Sequence, residues 1–311
     1  MAPTSANLLD VIPMAPTMGA CLIGVYLSCI FYGLTLLQTY QYFHRYWARD
    51  KMYLYVLVTV LTVLDTVATV ANMYSMWHYL IENYGDPVTI LPVHWTISLS
   101  LAATLGIEFL VKSFYGYRLW ICGALNGIHT ILFALVTVGV GIAYIYLIAK
   151  NGSLFYLPKI THLVVTALVF SLGADILIAS SITFLLMKGR NNTSQTDDIL
   201  RKLITYTINT GLLTVICTLM TLILAQAYSH TFYDTIFYFP LSKCYVNSAL
   251  AFLNTRDSLR ADGDMEPDHS AVQSSKLEIY HSSQDFTTFD IGRSKIGAIA
   301  PMNSIIPLLK F

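Results

Sequence analysis

GACLIGVYLSCIFYGLTLLQTYQYF, the stretch from Gly19 to Phe43, contains no Asp, Glu, Lys or Arg. It is longer than the roughly 20 apolar helical residues that cross a bilayer core about 30 Å thick. Similar stretches recur along the chain, in which apolar residues make up 55% of the composition and charged residues only 12%. A water-soluble fold could not cover so much apolar surface with so few charges. We therefore predict an integral membrane protein of the all-α class.

Seven apolar segments are long enough to be membrane-spanning helices, and none contains more than two charged residues. Their approximate bounds are 19–43, 52–80, 93–115, 121–148, 160–187, 203–227 and 235–254. The seventh segment is short and polar, and it contains Lys243. We predict that residues 19–258 form one seven-helix transmembrane domain.

The distribution of basic residues between the connecting loops predicts the orientation of this bundle. The connections after the first, third and fifth segments, together with the stretch after the seventh, carry ten Lys or Arg residues. The other connections carry two, Lys150 and Lys159. Because cytoplasmic loops are enriched in Lys and Arg, the N-terminus is predicted to lie outside and the C-terminus in the cytosol.

The orientation assigns a side of the membrane to both ends of the chain. Residues 1–18 are then an extracellular N-terminal segment, and the serine-rich, acidic tail 259–311 is predicted to be cytosolic and disordered. Asn151 lies on the predicted outer side in the sequence Asn-Gly-Ser, so it is a candidate glycosylation site.

Asp65, Asp175 and Lys243 each lie near the middle of an apolar segment. A charged side chain at such a depth costs roughly 2.5–3.5 kcal/mol, so we expect Lys243 to face at least one of the two aspartates. Helical spacing places further polar residues on the same inward faces. This set is either a ligand or ion site or polar packing between helices. The predicted polar core consists of Lys243, Asp175, Asp65, Asn247, Asn209 and Asn72.

Two other patterns have local interpretations. Glu108 and Lys112 are four residues apart, which predicts an ion pair within one helix, and Lys112 is expected to reach water near the cytosolic end. Gly123 and Gly127 form a Gly-x-x-x-Gly pair, which permits close helix approach or a contact in a homo-oligomer.

Four histidines fall near the predicted outer ends of the helices or in the last outer loop. They are His78, His94, His162 and His230. A metal site or an external pH sensor is one interpretation. Their spacing matches no metal-binding motif, so we expect them to have separate roles at the membrane interface.

The motifs of common enzymes are absent from the sequence. It contains no phosphate-binding Gly-rich loop, nucleophile elbow or zinc-protease helix. Basic and acidic residues cancel at 18 each, which leaves no cationic field for a nucleic acid. Lys243 could suggest a retinal Schiff base, but Phe239 stands where microbial rhodopsins have an aspartate. We expect no enzyme activity, no cofactor and no nucleic-acid partner.

Several segments resemble a family of seven-span membrane proteins abundant in mushroom-forming fungi, whose C-terminal half is classified only as a domain of unknown function. They are GVYLSCIFYGLTLLQTYQYFHRY (24–46), LDT (64–66), HYLIENYG (78–85), ADILIASSITFLL (174–186), TDDILRKLITYTINTGLLT (196–214) and LSKCYVNSALAFLNTR (241–256). The resemblance implies a membrane location and a fungal source, but no established activity. In the family pattern Asp65, Asp175, Lys243, Asn209 and Asn247 have counterparts, whereas the pair of Glu108 and Lys112 departs from it.

These observations lead to three functional hypotheses. The first is a receptor-like sensor at the plasma membrane or another membrane of the secretory pathway, whose inner loops and tail contact a cytosolic partner. The second is a proton-coupled carrier of small solutes, in which a buried aspartate takes and releases a proton. The third is a structural or assembly protein whose polar core serves only helix packing.

Overall fold

The computed structural model describes residues 15–46, 50–84, 92–123, 125–153, 156–188, 194–228 and 231–254. These ranges contain helices and no β-strand, apart from an isolated bridge between Pro92 and Ser153. The all-α class predicted from the sequence is confirmed for this part of the chain. Most of the predicted extracellular segment, which is residues 1–18, and the whole predicted tail lie outside the described residues.

Seven long helices occur in the described ranges. A π-helical turn, Ala15–Gly19, precedes the first helix, and a second one, His78–Glu82, continues the second helix. The helices are α1 (Ala20–Tyr46), α2 (Met52–Trp77), α3 (Trp95–Ile121), α4 (Asn126–Asn151), α5 (Leu157–Lys188), α6 (Ser194–Ala227) and α7 (Thr235–Asn254).

The boundary between α3 and α4 lies later in the chain than the apolar pattern predicts. Residue 115 was the predicted end of the third segment, but α3 continues to Ile121. The extra turn is held inside the bundle, where the Arg118 guanidinium carbon lies 4.5 Å from the ring centre of Phe114 and 4.7 Å from that of Phe252. The chain then turns at Gly123, whose φ of 78° favours glycine, and α4 begins only at Asn126.

Within the described ranges, five helical segments are long and apolar enough to cross a membrane. They are Pro16–Tyr46, Met52–Glu82, Trp95–Ile121, Asn126–Asn151 and Lys159–Phe184, and Gly211–Ala227 is a shorter apolar helical segment. Large apolar side chains point outward from them, including Ile30 (66% exposed) and Ile142 (60% exposed), whereas Asp65 and Lys243 are inside. Apolar residues outside and charged residues inside are typical of a multi-pass membrane protein.

The helices form a ring in chain order. Each described helix packs against the next one, and α7 closes the ring through its extensive contact with α1. α7 also contacts α2 and α3, and almost every residue from Pro240 to Leu253 is buried. This position explains why α7 carries polar residues, because its side chains face other helices over most of its length.

Glycines allow α3 and α4 to approach closely. A Cβ atom added to Gly127 would lie 2.5 Å from the carbonyl oxygen of Gly116 and 2.7 Å from the amide nitrogen of Trp120. Gly127 therefore serves packing within one chain, whereas Gly123 lies in the turn before α4. The close helix approach is present, and the homo-oligomer contact stays a prediction.

The close approach predicts the effect of a methyl group at Gly127. We expect Gly127→Ala to lower the free energy of unfolding by roughly 1–3 kcal/mol, because backbone atoms would have to move apart. Gly139→Ala is a matched control on the same helix, since nothing lies within 4 Å of its added Cβ. Thermal unfolding in detergent measures both variants, and equal melting temperatures would contradict the packing.

Candidate functional site

Lys243 on α7 pairs with Asp65 on α2. The Nζ atom lies 2.9 Å from Asp65 Oδ1, and both side chains are 0% exposed. Lys243 also donates a hydrogen bond to the Ser242 hydroxyl at 3.2 Å. The Thr35 and Ser242 hydroxyls also interact with the Asp65 carboxyl, more weakly than the Lys243 charge does. The attraction between the two charges is the main term that offsets their transfer out of water.

Asn247, one turn after Lys243, joins α7 to α1. Its amide nitrogen donates to the Phe31 carbonyl at 3.1 Å, and its amide oxygen accepts from the Thr35 hydroxyl at 3.1 Å. Asn247 and Lys243 thus attach α7 to two different neighbours. Both contacts fix the position of α7 in the bundle.

A second buried ion cluster surrounds Lys112 on α3. Its Nζ atom lies 2.5 Å from Glu108 Oε1 and 3.4 Å from Asp175 Oδ1. The expectation that Lys112 reaches water was wrong, because this side chain is 0% exposed. The expected pair with Glu108 is present, but it belongs to a larger cluster that also includes α5.

Ser171 and Tyr245 connect the charged groups of this cluster. The Ser171 hydroxyl accepts from Lys112 Nζ at 2.7 Å, donates to Glu108 Oε1 at 2.5 Å and lies 3.3 Å from the Tyr245 hydroxyl. Tyr245 donates to Asp175 Oδ2 at 2.6 Å. A continuous chain of polar atoms thus runs from Glu108 to Asp175. We call these five residues the Lys112 cluster.

The Lys112 cluster contains two carboxyl groups and one ammonium group. Lys243, which lies on the same helix as Tyr245, is already paired with Asp65. Lys112 cannot neutralise both Glu108 and Asp175, so the cluster carries either a net negative charge or a bound proton. Buried charge that is not neutralised is costly, which makes this cluster a candidate binding site for a proton or a cation.

A large cavity lies above this cluster, toward the end of the bundle at which α1, α3, α5 and α7 begin. Its volume is about 510 Å³, within the range of small-molecule sites. Glu108 and Ser171 form part of its floor. All seven helices or the turns before them contribute to its wall, including Cys21, Asn72, Ser100, Tyr144, Ala167, Ala225 and Tyr238.

Asp234 lies at the mouth of the large cavity, one residue before α7. Partial burial raises the pKa of this carboxyl from 3.8 to about 6, and hydrogen bonds from backbone amides oppose the rise. The carboxyl is therefore ionised at neutral pH and protonated in mildly acidic solution.

A small cavity of about 30 Å³ lies on the opposite side of the Lys112 cluster. Lys112, Asp175 and Tyr245 border it, together with Tyr115 and Ser248 from farther along α3 and α7. A volume of this size holds about one water molecule. The Lys112 cluster thus separates the large cavity from a water-sized cavity deeper in the bundle.

The predicted polar core occupies several places in the structure. Asp65 pairs with Lys243, whereas Asp175 belongs to the Lys112 cluster, and Asn72 lines the large cavity. The side chain of Asn209 lies outside the described residues. Sequence reasoning missed Tyr245. The four-residue spacing of Glu108–Lys112 and of Ser171–Asp175 shows only that each pair shares one face of its own helix.

Two histidines lie together instead of apart. The ring centres of His78 and His94 are 4.3 Å apart, and His78 Nδ1 lies 2.8 Å from Glu82 Oε2. Partial burial and the neighbouring His78 lower the pKa of His94. In the part of the chain that the structure describes, no group of three or more His, Cys, Asp or Glu residues is placed to hold a metal.

Asn151, the candidate glycosylation site, is the last residue of α4. Its side chain is exposed and its amide donates to the Leu147 carbonyl at 2.8 Å. Modification at this position stays a prediction.

The ion pair between Lys243 and Asp65 predicts strong non-additivity. We expect Lys243→Met to lower the free energy of unfolding by about 3–5 kcal/mol, because it leaves Asp65 buried and unpaired. The double variant Lys243→Met/Asp65→Leu should recover most of this loss. Lys243→Met/Asp175→Asn is the matched control and should not recover it. Denaturant titration in mixed micelles measures these free energies of unfolding. If Asp175→Asn and not Asp65→Leu recovers the stability lost in Lys243→Met, the partner of Lys243 is Asp175.

Comparison with known proteins gives a match to a family model over part of the chain. Residues 171–258 match the model of a family of unknown function, DUF6534. The matched region contains Ser171, Asp175, Lys243 and Tyr245, but not Asp65, Glu108 or Lys112. No curated protein and no solved structure matches the chain. The C-terminal region is thus similar to a family for which no activity is described.

Proposed function

We propose that this protein is a receptor-like membrane sensor that binds a small molecule in the large cavity. The observation that carries the proposal is the cavity of about 510 Å³ with Glu108 and Ser171 in its floor. Ligand sites of membrane helix bundles lie between the helices, with a few polar groups that orient the ligand. A ligand in this cavity would contact several helices at once, which is the geometry that a sensor needs.

The proposal includes a seven-span topology with the N-terminus outside and the C-terminus in the cytosol. The loop charges support this orientation. The mouth of the large cavity, at Asp234, then opens to the outside, and the inner loops and the tail contact a cytosolic partner. The resemblance of several segments to seven-span proteins of mushroom-forming fungi supports the same topology.

Filling the cavity tests the sensor proposal. We expect Ala167→Phe to abolish ligand binding, because Ala167 lines the cavity and the added ring would fill part of its volume. Val169→Phe adds the same ring to the same helix, but Val169 is 50% exposed on the outer surface and is the matched control. The measurement is thermal stabilisation by a library of small organic molecules in detergent. If no compound raises the melting temperature of Val169→Phe more than that of Ala167→Phe, the result would count against a ligand site.

A proton-coupled carrier is the second candidate function. The observation in its favour is the polar chain from Glu108 through Ser171 and Tyr245 to Asp175, which links the large cavity to the small one. Such a chain can pass a proton if its carboxyl groups change their protonation in turn.

A flux measurement separates the carrier from the sensor. If the protein is a carrier, liposomes that contain it should show solute-dependent proton uptake, and Asp175→Asn should abolish this uptake. Glu82→Gln is the control, because Glu82 is 42% exposed and lies outside both cavities. Ligand binding without any flux in the parent protein would exclude the carrier and favour the sensor.

A further inference from the structure

The described lining of the large cavity contains acidic residues and no basic one. Glu108 lies in the floor and Asp234 at the mouth, whereas Lys, Arg and His are absent from the lining residues. Lys112 borders the small cavity on the other side of the cluster. A ligand in the large cavity therefore meets carboxyl groups at both ends of the cavity without meeting an ammonium group directly.

One carboxyl oxygen of Glu108 is available as a hydrogen-bond acceptor. Its Oε1 atom receives the hydrogen bonds from Lys112 and Ser171, whereas no described donor binds Oε2. The residue is only 7% exposed, and it lines the cavity. Because Lys112 also faces Asp175 at 3.4 Å, it cannot neutralise both carboxyl groups. The free oxygen of Glu108 thus offers negative charge and an acceptor to a ligand.

Asn72 is a second buried polar group that faces the cavity. It is 5% exposed and lines the cavity. Its amide can both donate a hydrogen bond to a polar ligand group and accept one from it.

The remaining wall is uncharged and combines aromatic, aliphatic and hydroxyl side chains. Three tyrosines and two phenylalanines surround the upper part of the cavity, and the rest includes eight leucines and isoleucines and eight serines and threonines. An aromatic face attracts a cation through its quadrupole, and the attraction is stronger where water is excluded. The aromatic residues are Tyr79, Tyr144, Tyr238, Phe232 and Phe239.

We propose that the large cavity selects a small organic amine with an apolar body, whose ammonium group binds Glu108 in the floor. This inference rests on the proposed ligand site and names its ligand class. Ile97 and Glu108, both on the cavity wall, are separated by roughly 16 Å along α3. An aryl-alkyl chain fits this depth. Above about pH 6 the Asp234 carboxylate attracts the cation to the mouth.

Three probes with one apolar body and different charges test the inference. They are 4-phenylbutylamine, 4-phenylbutanol and 4-phenylbutyrate, measured by calorimetry on the full chain in detergent at pH 7.5. We expect the amine to bind at least about tenfold more tightly than the alcohol, and the carboxylate to bind more weakly than both. Ala167→Phe should remove the binding of all probes, which places them in the cavity.

Charge-neutral variants identify the groups that recognise the amine. Glu108→Gln should reduce the preference for the amine over the alcohol by about tenfold, whereas alcohol binding remains and reports an intact fold. Asp234→Asn, which lies outside the buried cluster, should reduce the same preference by a smaller factor. Glu82→Gln removes a charge at the same end of the bundle but outside the cavity. It should leave the preference for the amine over the alcohol unchanged.

Each contrary result has a distinct meaning. Equal binding of the amine and the alcohol, or tighter binding of the carboxylate, overturns the amine assignment. If Ala167→Phe still abolishes binding in that case, the cavity remains a ligand site. Amine selectivity that survives both Glu108→Gln and Asp234→Asn also overturns it. Absence of binding by all three probes overturns the assignment, and the library screen then decides separately whether the cavity binds any ligand.

Discussion

The cost of holding charge away from water determines how the helices are arranged. Lys112 and Lys243 are both completely buried, and each lies within a helix, several residues from either end. A lysine at such a position is tolerated when a carboxylate from a neighbouring helix reaches it. Lys243 binds Asp65 on α2, and Lys112 binds Asp175 on α5 in addition to Glu108 on its own helix. These contacts tie α2 to α7 and α3 to α5, and they specify which helix faces lie inside the ring.

The buried position of α7 follows from the same constraint. This helix carries Lys243, Tyr245 and Asn247 within five residues, and helical spacing places Lys243 and Asn247 on one face and Tyr245 on the opposite one. Such a helix cannot face hydrocarbon on any broad side. It is instead packed against α1, α2, α3 and α6. Lys243 contacts α2, Asn247 contacts α1, and Tyr245 donates a hydrogen bond to Asp175 on α5. Its weak hydropathy is therefore a consequence of its interior position and is compatible with a membrane protein.

The sequence predicts the class of fold and most of its helices, because uncharged stretches longer than 20 residues have few alternatives to membrane helices. The pairing of the charges was harder to predict. Depth along a helix could not decide between Asp65 and Asp175 as the partner of Lys243, since both lie at mid-span. The choice depends on which helices are neighbours, and that is a property of the whole ring. Lys112 was misjudged for the same reason: its four-residue spacing from Glu108 accounts for one contact, while Ser171 and Asp175 are more than fifty positions away in the chain.

The Lys112 cluster gives the proposed sensor a physical route from ligand to helix movement. Glu108 is shared between the cavity floor and Lys112, so a cation bound to Glu108 would weaken the attraction between Glu108 and Lys112. Lys112 would then shift its attraction toward Asp175, whose other oxygen holds the Tyr245 hydroxyl. Tyr245 belongs to α7, and the opposite face of α7 is fixed to α2 by Lys243 and to α1 by Asn247. In the proposed sensor, a change in charge at the floor would therefore reach three helices through four side chains.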